Sequence, residues 1–158
     1  MKKIPFKFLN EKLIPAAAQR VAGIIMPSFR VGTTIMLFDS RGFIYLQKHR
    51  FWKDQMWGLP GGFLQRNETP LSGAKREVFE ETNLLPQQLK LLDVIQSSSS
   101  TVNIVFTGNV TDTEFRIQKF EVIEGGFFDP DNLPEPLLKW QKEAIGLFIS
   151  GGNLNSES

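Results

Sequence analysis

Residues 70–82 place three glutamates, Glu77, Glu80 and Glu81, on a segment whose spacing predicts a helix. Thr69 is positioned to cap it, and Pro70 suits the first helical position, where a missing N–H costs nothing. Leu71, Ala74 and Val78 recur at i, i+3 and i+7 as the expected buried stripe. Asn83 stands where helices often end in a left-handed residue, a conformation Asn tolerates. At about 100° per residue the three glutamates fall within one arc of roughly 100°. Like charges so close repel by roughly 0.2–0.5 kcal/mol per pair, so this face either meets water or holds a cation. Three neighbours favour the cation. Arg76 can reach Glu80 one turn on, which orients a carboxylate. Gly61-Gly62 lets a backbone carbonyl approach an ion closely. Clustered carboxylate oxygens with no Cys or His among them suit Mg2+ or Mn2+.

The surrounding chain reads mainly as strands. Residues 31–38 and 43–47 form an expected hairpin across the turn Asp39-Ser40-Arg41-Gly42. Residues 51–58 are an expected loop, and further strands are predicted over 89–95, 102–110 and 120–128, with 97–100 as a hairpin loop. A closing helix is predicted from about 134 to 149, with Leu137, Leu138, Trp140 and Ile145 in the core. Strands interrupted by helices without strict alternation predict an α/β (α+β) fold, a mixed sheet with helices on both faces. Residues 1–29 read as a partly helical N-terminal extension, 30–150 as one domain and 151–158 as a frayed tail.

With 158 residues, one domain is expected. The balance of 18 Lys plus Arg against 17 Asp plus Glu, a formal charge of +1, argues against binding duplex DNA. No cysteine is present, so disulfides, thiolate zinc sites and cysteine nucleophiles are excluded. No apolar run approaches the roughly 20 residues of a transmembrane segment, and the N-terminus lacks the apolar core of a secretory signal. A cytoplasmic chain is expected, and the extension and edge strands suggest a homodimer.

Gly62, five residues, Glu68, seven residues, then Arg76-Glu77-Val78-Phe79-Glu80-Glu81-Thr82-Asn83-Leu84 resembles the Nudix box, G-x5-E-x7-R-E-U-x-E-E-x-G-U, with Asn83 in the place of its second glycine. The approach Trp57-Gly58-Leu59-Pro60-Gly61-Gly62 is similar too. The resemblance implies a Nudix fold, an α/β/α sandwich around a mixed sheet. It also implies hydrolysis of a nucleoside diphosphate linked to another moiety, with Mg2+ or Mn2+. On this chain it implies that Glu77, Glu80 and Glu81 ligate metal, with the Gly61 carbonyl as a further ligand. Arg76 holds a box glutamate in place, and Glu68 supports the site or a second ion through water. The general base is either a box glutamate or a residue of Glu121-Val122-Ile123-Glu124-Gly125-Gly126-Phe127-Phe128, where Glu124 is preferred to Glu121.

His49, the one histidine, reads as a polar strand end or, with Arg50, as a contact to substrate phosphates. Phe51, Trp52 and Trp57 read as core residues or as platforms for a nucleobase. No marker selects the substrate. Sugar-linked diphosphates such as ADP-ribose are preferred to non-canonical nucleoside triphosphates, dinucleoside polyphosphates and capped RNA. The alternative is a nucleotide-sensing module of the same fold that does not cleave.

Overall fold

The computed structural model describes residues 28–117 and 120–151, so the expected extension and tail lie almost wholly outside the described residues. In chain order the elements are β1 (Arg30–Phe38), β2 (Ile44–His49), β3 (Trp57–Gly58), β4 (Gly61–Phe63), α1 (Pro70–Thr82), β5 (Gln87–Ser98), β6 (Thr101–Asn109), β7 (Val122–Phe128) and α2 (Lys139–Ser150). A 3-10 turn, Lys53–Gln55, interrupts the loop after β2.

The sheet is mixed, as expected. β1 runs parallel to β6 from Arg30↔Thr101 to Phe38↔Asn109, while β5 and β6 form an antiparallel hairpin closed by Ser99 and Ser100. The β1–β2 hairpin closes on Phe38↔Ile44. The Asp39 carboxylate fixes its turn by accepting from the N–H groups of Arg41 and Phe43, both at 2.9 Å. Beyond that turn the two strands part. β4 pairs with the first half of β1, β3 pairs with the end of β2, and β7 lines the other edge of β2. The gap between β1 and β2 therefore admits the turn Leu59-Pro60 and the glycine pair Gly61-Gly62, the segment that reaches the site.

The two faces carry separate cores. On one, Ala74 and Val78 of α1 pack on Ile35, Leu37, Tyr45 and Phe106. On the other, Ala144, Ile145 and Phe148 of α2 pack on Met36, Phe38, Ile44, Leu46 and Trp57. This is the expected sandwich. Successive strand residues point to opposite faces, so Tyr45 and Gln47 look towards α1 while Leu46 and Lys48 look towards α2.

Three local expectations are corrected. Leu71 is 41% exposed, and the buried stripe of α1 is Ala74, Val78 and Glu81, at i, i+4 and i+7, with Gly73 and Thr82. The closing helix begins at Lys139 rather than near 134. Pro134 and Pro136 each disfavour a helical residue before them, and Pro136 has no N–H to give. That stretch instead runs extended beside β3: Trp57 N–H donates to the Pro136 carbonyl at 2.8 Å and Leu138 N–H to the Trp57 carbonyl at 3.0 Å. Thirdly, β7 begins at Val122, and Phe120 and Glu121 form a turn before it.

Candidate active site

The N-terminus of α1 follows the predicted chemistry. Thr69 and Ser72 cap reciprocally, Ser72 N–H donating to Thr69 Oγ1 at 3.2 Å and Thr69 N–H to Ser72 Oγ at 3.1 Å. Asn83 ends the helix in the left-handed region at φ 61°, its N–H donating to the Phe79 carbonyl. These two ends set the rotation of the helix, and with it the direction of each glutamate.

Arg76 lies at the centre of the outer carboxylates. Its Nε and one terminal nitrogen donate to the two Glu68 oxygens at 2.8 and 3.0 Å, and the other nitrogen donates to Glu77 at 2.8 Å and Glu80 at 3.0 Å. A weaker bond reaches the Phe63 carbonyl at 3.3 Å. A planar guanidinium can serve several carboxylates at once, which a lysine ammonium cannot do with the same geometry. The Arg76 hydrogen bonds hold the Glu68 carboxyl down at about 2.

Glu81 points the other way, into the protein. It is 2% exposed, and Gly61 N–H donates to its carboxylate at 3.0 Å. Burial pushes its carboxyl up to about 8, and the charges of Glu77 and Glu121 push in the same direction. The Gln47 amide lies against the same carboxyl and pulls its pKa down, yet neither polar atom of that fully buried amide has a hydrogen-bond partner. The Tyr45 hydroxyl beside them is also unpartnered, and burial and the Glu81 charge hold it above its ordinary value. Burial likewise raises Glu77 above its ordinary value, against the pull of Arg76 and with the help of Glu80 and Glu121.

The glycine pair permits this closeness. Gly61 has φ 150°, and a Cβ there would collide with the Thr33 carbonyl oxygen. At Gly62 a Cβ would occupy the position of the Glu77 carboxylate. The turn is anchored by α2 and by β1, Leu59 N–H donating to the buried Gln141 side chain of α2 at 2.6 Å and Ile35 N–H of β1 to the Pro60 carbonyl at 3.1 Å.

At the end of β2 the register with β7 slips between Lys48↔Glu124 and His49↔Val122. Glu124 lies with Lys48, bonded at 2.8 Å, on the face where Lys48 covers the Trp57 ring. That is opposite to Gln47 and Glu81. Glu121 is the carboxylate that the slip brings in: His49, Glu81 and Glu121 offer ligand atoms all within 4.8 Å of one another. The sequence preference for Glu124 over Glu121 is thus reversed in placement, because strand parity across a bulge is not written in residue spacing.

The remaining candidates divide. His49 stacks on Trp52, ring centroids 5.0 Å apart, and approaches Glu121 at 3.4 Å. Arg50 is exposed beside it, its Nε donating to the Phe120 carbonyl at 3.0 Å and its backbone N–H to the Glu121 carbonyl at 2.7 Å. Trp57 is 5% exposed and packs edge-on against Phe128, so it is a core residue and presents no stacking surface. Gln47 and Tyr45 went unnoticed in the sequence. The one available signal was a polar Gln47 following the buried run Ile44-Tyr45-Leu46.

Residues 28–148 match the family model described as NUDIX domain. The chain belongs to that family. Among curated relatives, an ADP-ribose pyrophosphatase of Methanocaldococcus jannaschii is 36% identical over 84 residues, which cover 50% of this chain and 49% of the relative. An 8-oxo-dGDP phosphatase of Mus musculus is 32% identical over 84 residues, covering 51% of this chain and 26% of the relative. The chain thus matches about half or less of the length of these relatives. Among solved structures, a MutT NUDIX hydrolase from Burkholderia pseudomallei is 27% identical with a TM-score of 0.66, covering 74% of this chain and 95% of that one. The NUDIX domain of Shewanella oneidensis NrtR, complexed with ADP ribose, shares the fold at 18% identity and a TM-score of 0.72, covering 89% of this chain and 100% of that one. The NUDIX fold is therefore shown for this chain. Among the described residues no helix is long and apolar enough to cross a membrane.

Proposed function

We propose that this NUDIX chain is a pyrophosphohydrolase that uses Mg2+ or Mn2+ to cleave the diphosphate linkage of a nucleoside diphosphate derivative, ADP-ribose-type substrates foremost. The observation that carries the reading is the buried Glu81 carboxyl, held by Gly61 N–H and faced by the charges of Glu77 and Glu121. Converging buried acids weaken a fold unless a cation joins them. The donor set fits that ion, since carboxylate oxygens and a glycine carbonyl are what hard divalent cations take. Glu77, Glu80 and Glu81 would hold it, with the Gly61 carbonyl, and Glu121 takes the place that sequence preference gave to Glu124. When bound, such a cation neutralises diphosphate charge and lowers the pKa of a coordinated water.

The chain's own groups do the rest. Arg76 fixes Glu68, Glu77 and Glu80 relative to one another. Glu68 acts through that guanidinium. The Glu80 side chain is 50% exposed, which leaves it room to stand outside the cation's inner shell and there accept the proton of the attacking water. Arg50 adds positive charge beside Glu121, where substrate phosphates would lie. The stacking role read for Trp57 passes to Phe51, which is 64% exposed and packs against Phe120. Preference for ADP-ribose is supported by the name of the 36% identical relative. A cytoplasmic setting and a homodimer complete the reading, the latter checked by light scattering.

The test is a phosphate-product screen by mass spectrometry over nucleoside diphosphate sugars, dinucleoside polyphosphates, modified nucleoside triphosphates and capped RNA. Cleavage of the sugar-linked class, lost with EDTA, is expected. If no class is cleaved with either cation while a nucleotide raises the melting temperature, the chain is a binding module instead.

A further inference from the structure

We infer that His49 is a positioning residue for the cation site, its Nε2–H aiming the Glu121 carboxylate at the space beside Glu81. The inference rests on the proposed cation site and extends it to a group outside the box helix. Phe51 N–H donates to His49 Nδ1 at 3.3 Å, which makes Nδ1 the acceptor and leaves the ring hydrogen on Nε2. Nε2 faces Glu121 at 3.4 Å. With its hydrogen on that nitrogen, His49 is placed to donate to the Glu121 carboxylate and not to ligate a metal itself.

Every part of the surroundings serves this aim. The register slip leaves Ile123 of β7 without a partner on β2 and so resets the end of β7 that carries Glu121, while strand alternation from Gln47 places His49 on the α1 side, the use bulges commonly have beside active sites. Trp52 stacks on the ring at an interplanar angle of 23° and holds its plane. The Glu121 side chain is 44% exposed and sits in the turn before β7, so it needs an external tether, and the Arg50 N–H bond to its carbonyl fixes only the backbone. His49, with a side chain 12% exposed, supplies the tether for the carboxylate.

The experiment measures Mn2+ affinity by electron paramagnetic resonance on the full chain without nucleotide, for wild type, His49→Phe and His49→Gln. Phe keeps the stack on Trp52 and lacks the donor, while the Gln amide can restore one. Loss of an outer hydrogen bond of this kind costs about 10- to 100-fold in metal affinity. His49→Phe should weaken Mn2+ by about that factor at an unchanged melting temperature, and His49→Gln should recover most of it. Equal affinity in wild type and His49→Phe, or no recovery in His49→Gln, would overturn the inference and leave the cation site standing. Wild type that binds no Mn2+ would overturn both.

Discussion

The Glu81 carboxyl is the residue on which the site turns, and its burial has a measurable consequence. Pushed up to about 8 from an ordinary 4.5, it keeps its proton in the folded chain at pH values where the unfolded chain has lost it. Folding then binds a proton, so its contribution is whole below pH 4.5 and is lost as pH rises towards 8. In metal-free protein, Glu81→Gln removes the titrating group. Denaturant titrations should show wild type falling behind the variant between about pH 5 and 8, by on the order of a few kcal/mol. Added Mg2+ should restore wild type and leave Glu81→Gln unmoved. Equal pH profiles for the two proteins would show that the carboxyl is solvated.

At the scale of elements, α1 is a lever whose ends were legible because their chemistry is local. Thr69, Pro70 and Asn83 act through their immediate neighbours, and all three stand where spacing put them. Thr69→Ala removes half of the reciprocal cap and should cost about 1 kcal/mol, a fall in melting temperature of about 3 °C. No change in melting temperature would mean that the cap adds nothing. What spacing could not supply was tertiary. The helical arc containing Glu77, Glu80 and Glu81 was correct, but which edge of it faced inward depended on the sheet beneath, so Leu71 came out exposed and Glu81 buried. The Glu121 and Glu124 positions were exchanged by one bulge between β2 and β7. Residues 134–138 joined β3 instead of α2 because a distant strand offered Trp57 as a backbone partner.

For the whole molecule, the sheet separates two jobs. Both faces hold core, and the proposed site lies on the α1 side beside the glycine turn. Trp57 and Phe51, only six residues apart, test that division. Trp57→Ala opens a cavity against Phe128 and should cost about 3–5 kcal/mol with loss of cooperative folding. Phe51→Ala should leave the melting temperature within about 1 °C, since an exposed side chain contributes little to stability, and should raise KM for a nucleotide substrate. The reverse pattern would exchange their roles. The account's central claim is tested most directly by ADP-ribose hydrolysis with and without Mg2+, in wild type and Glu81→Gln. Wild type should yield AMP and ribose 5-phosphate only with the cation. The variant, shown to be folded at pH 7 by a cooperative melting transition, should be slower by at least roughly 100-fold, since losing even an outer contact costs about 10- to 100-fold. Near-wild-type turnover by Glu81→Gln at saturating Mg2+ would contradict the assignment of this buried carboxylate to the reaction.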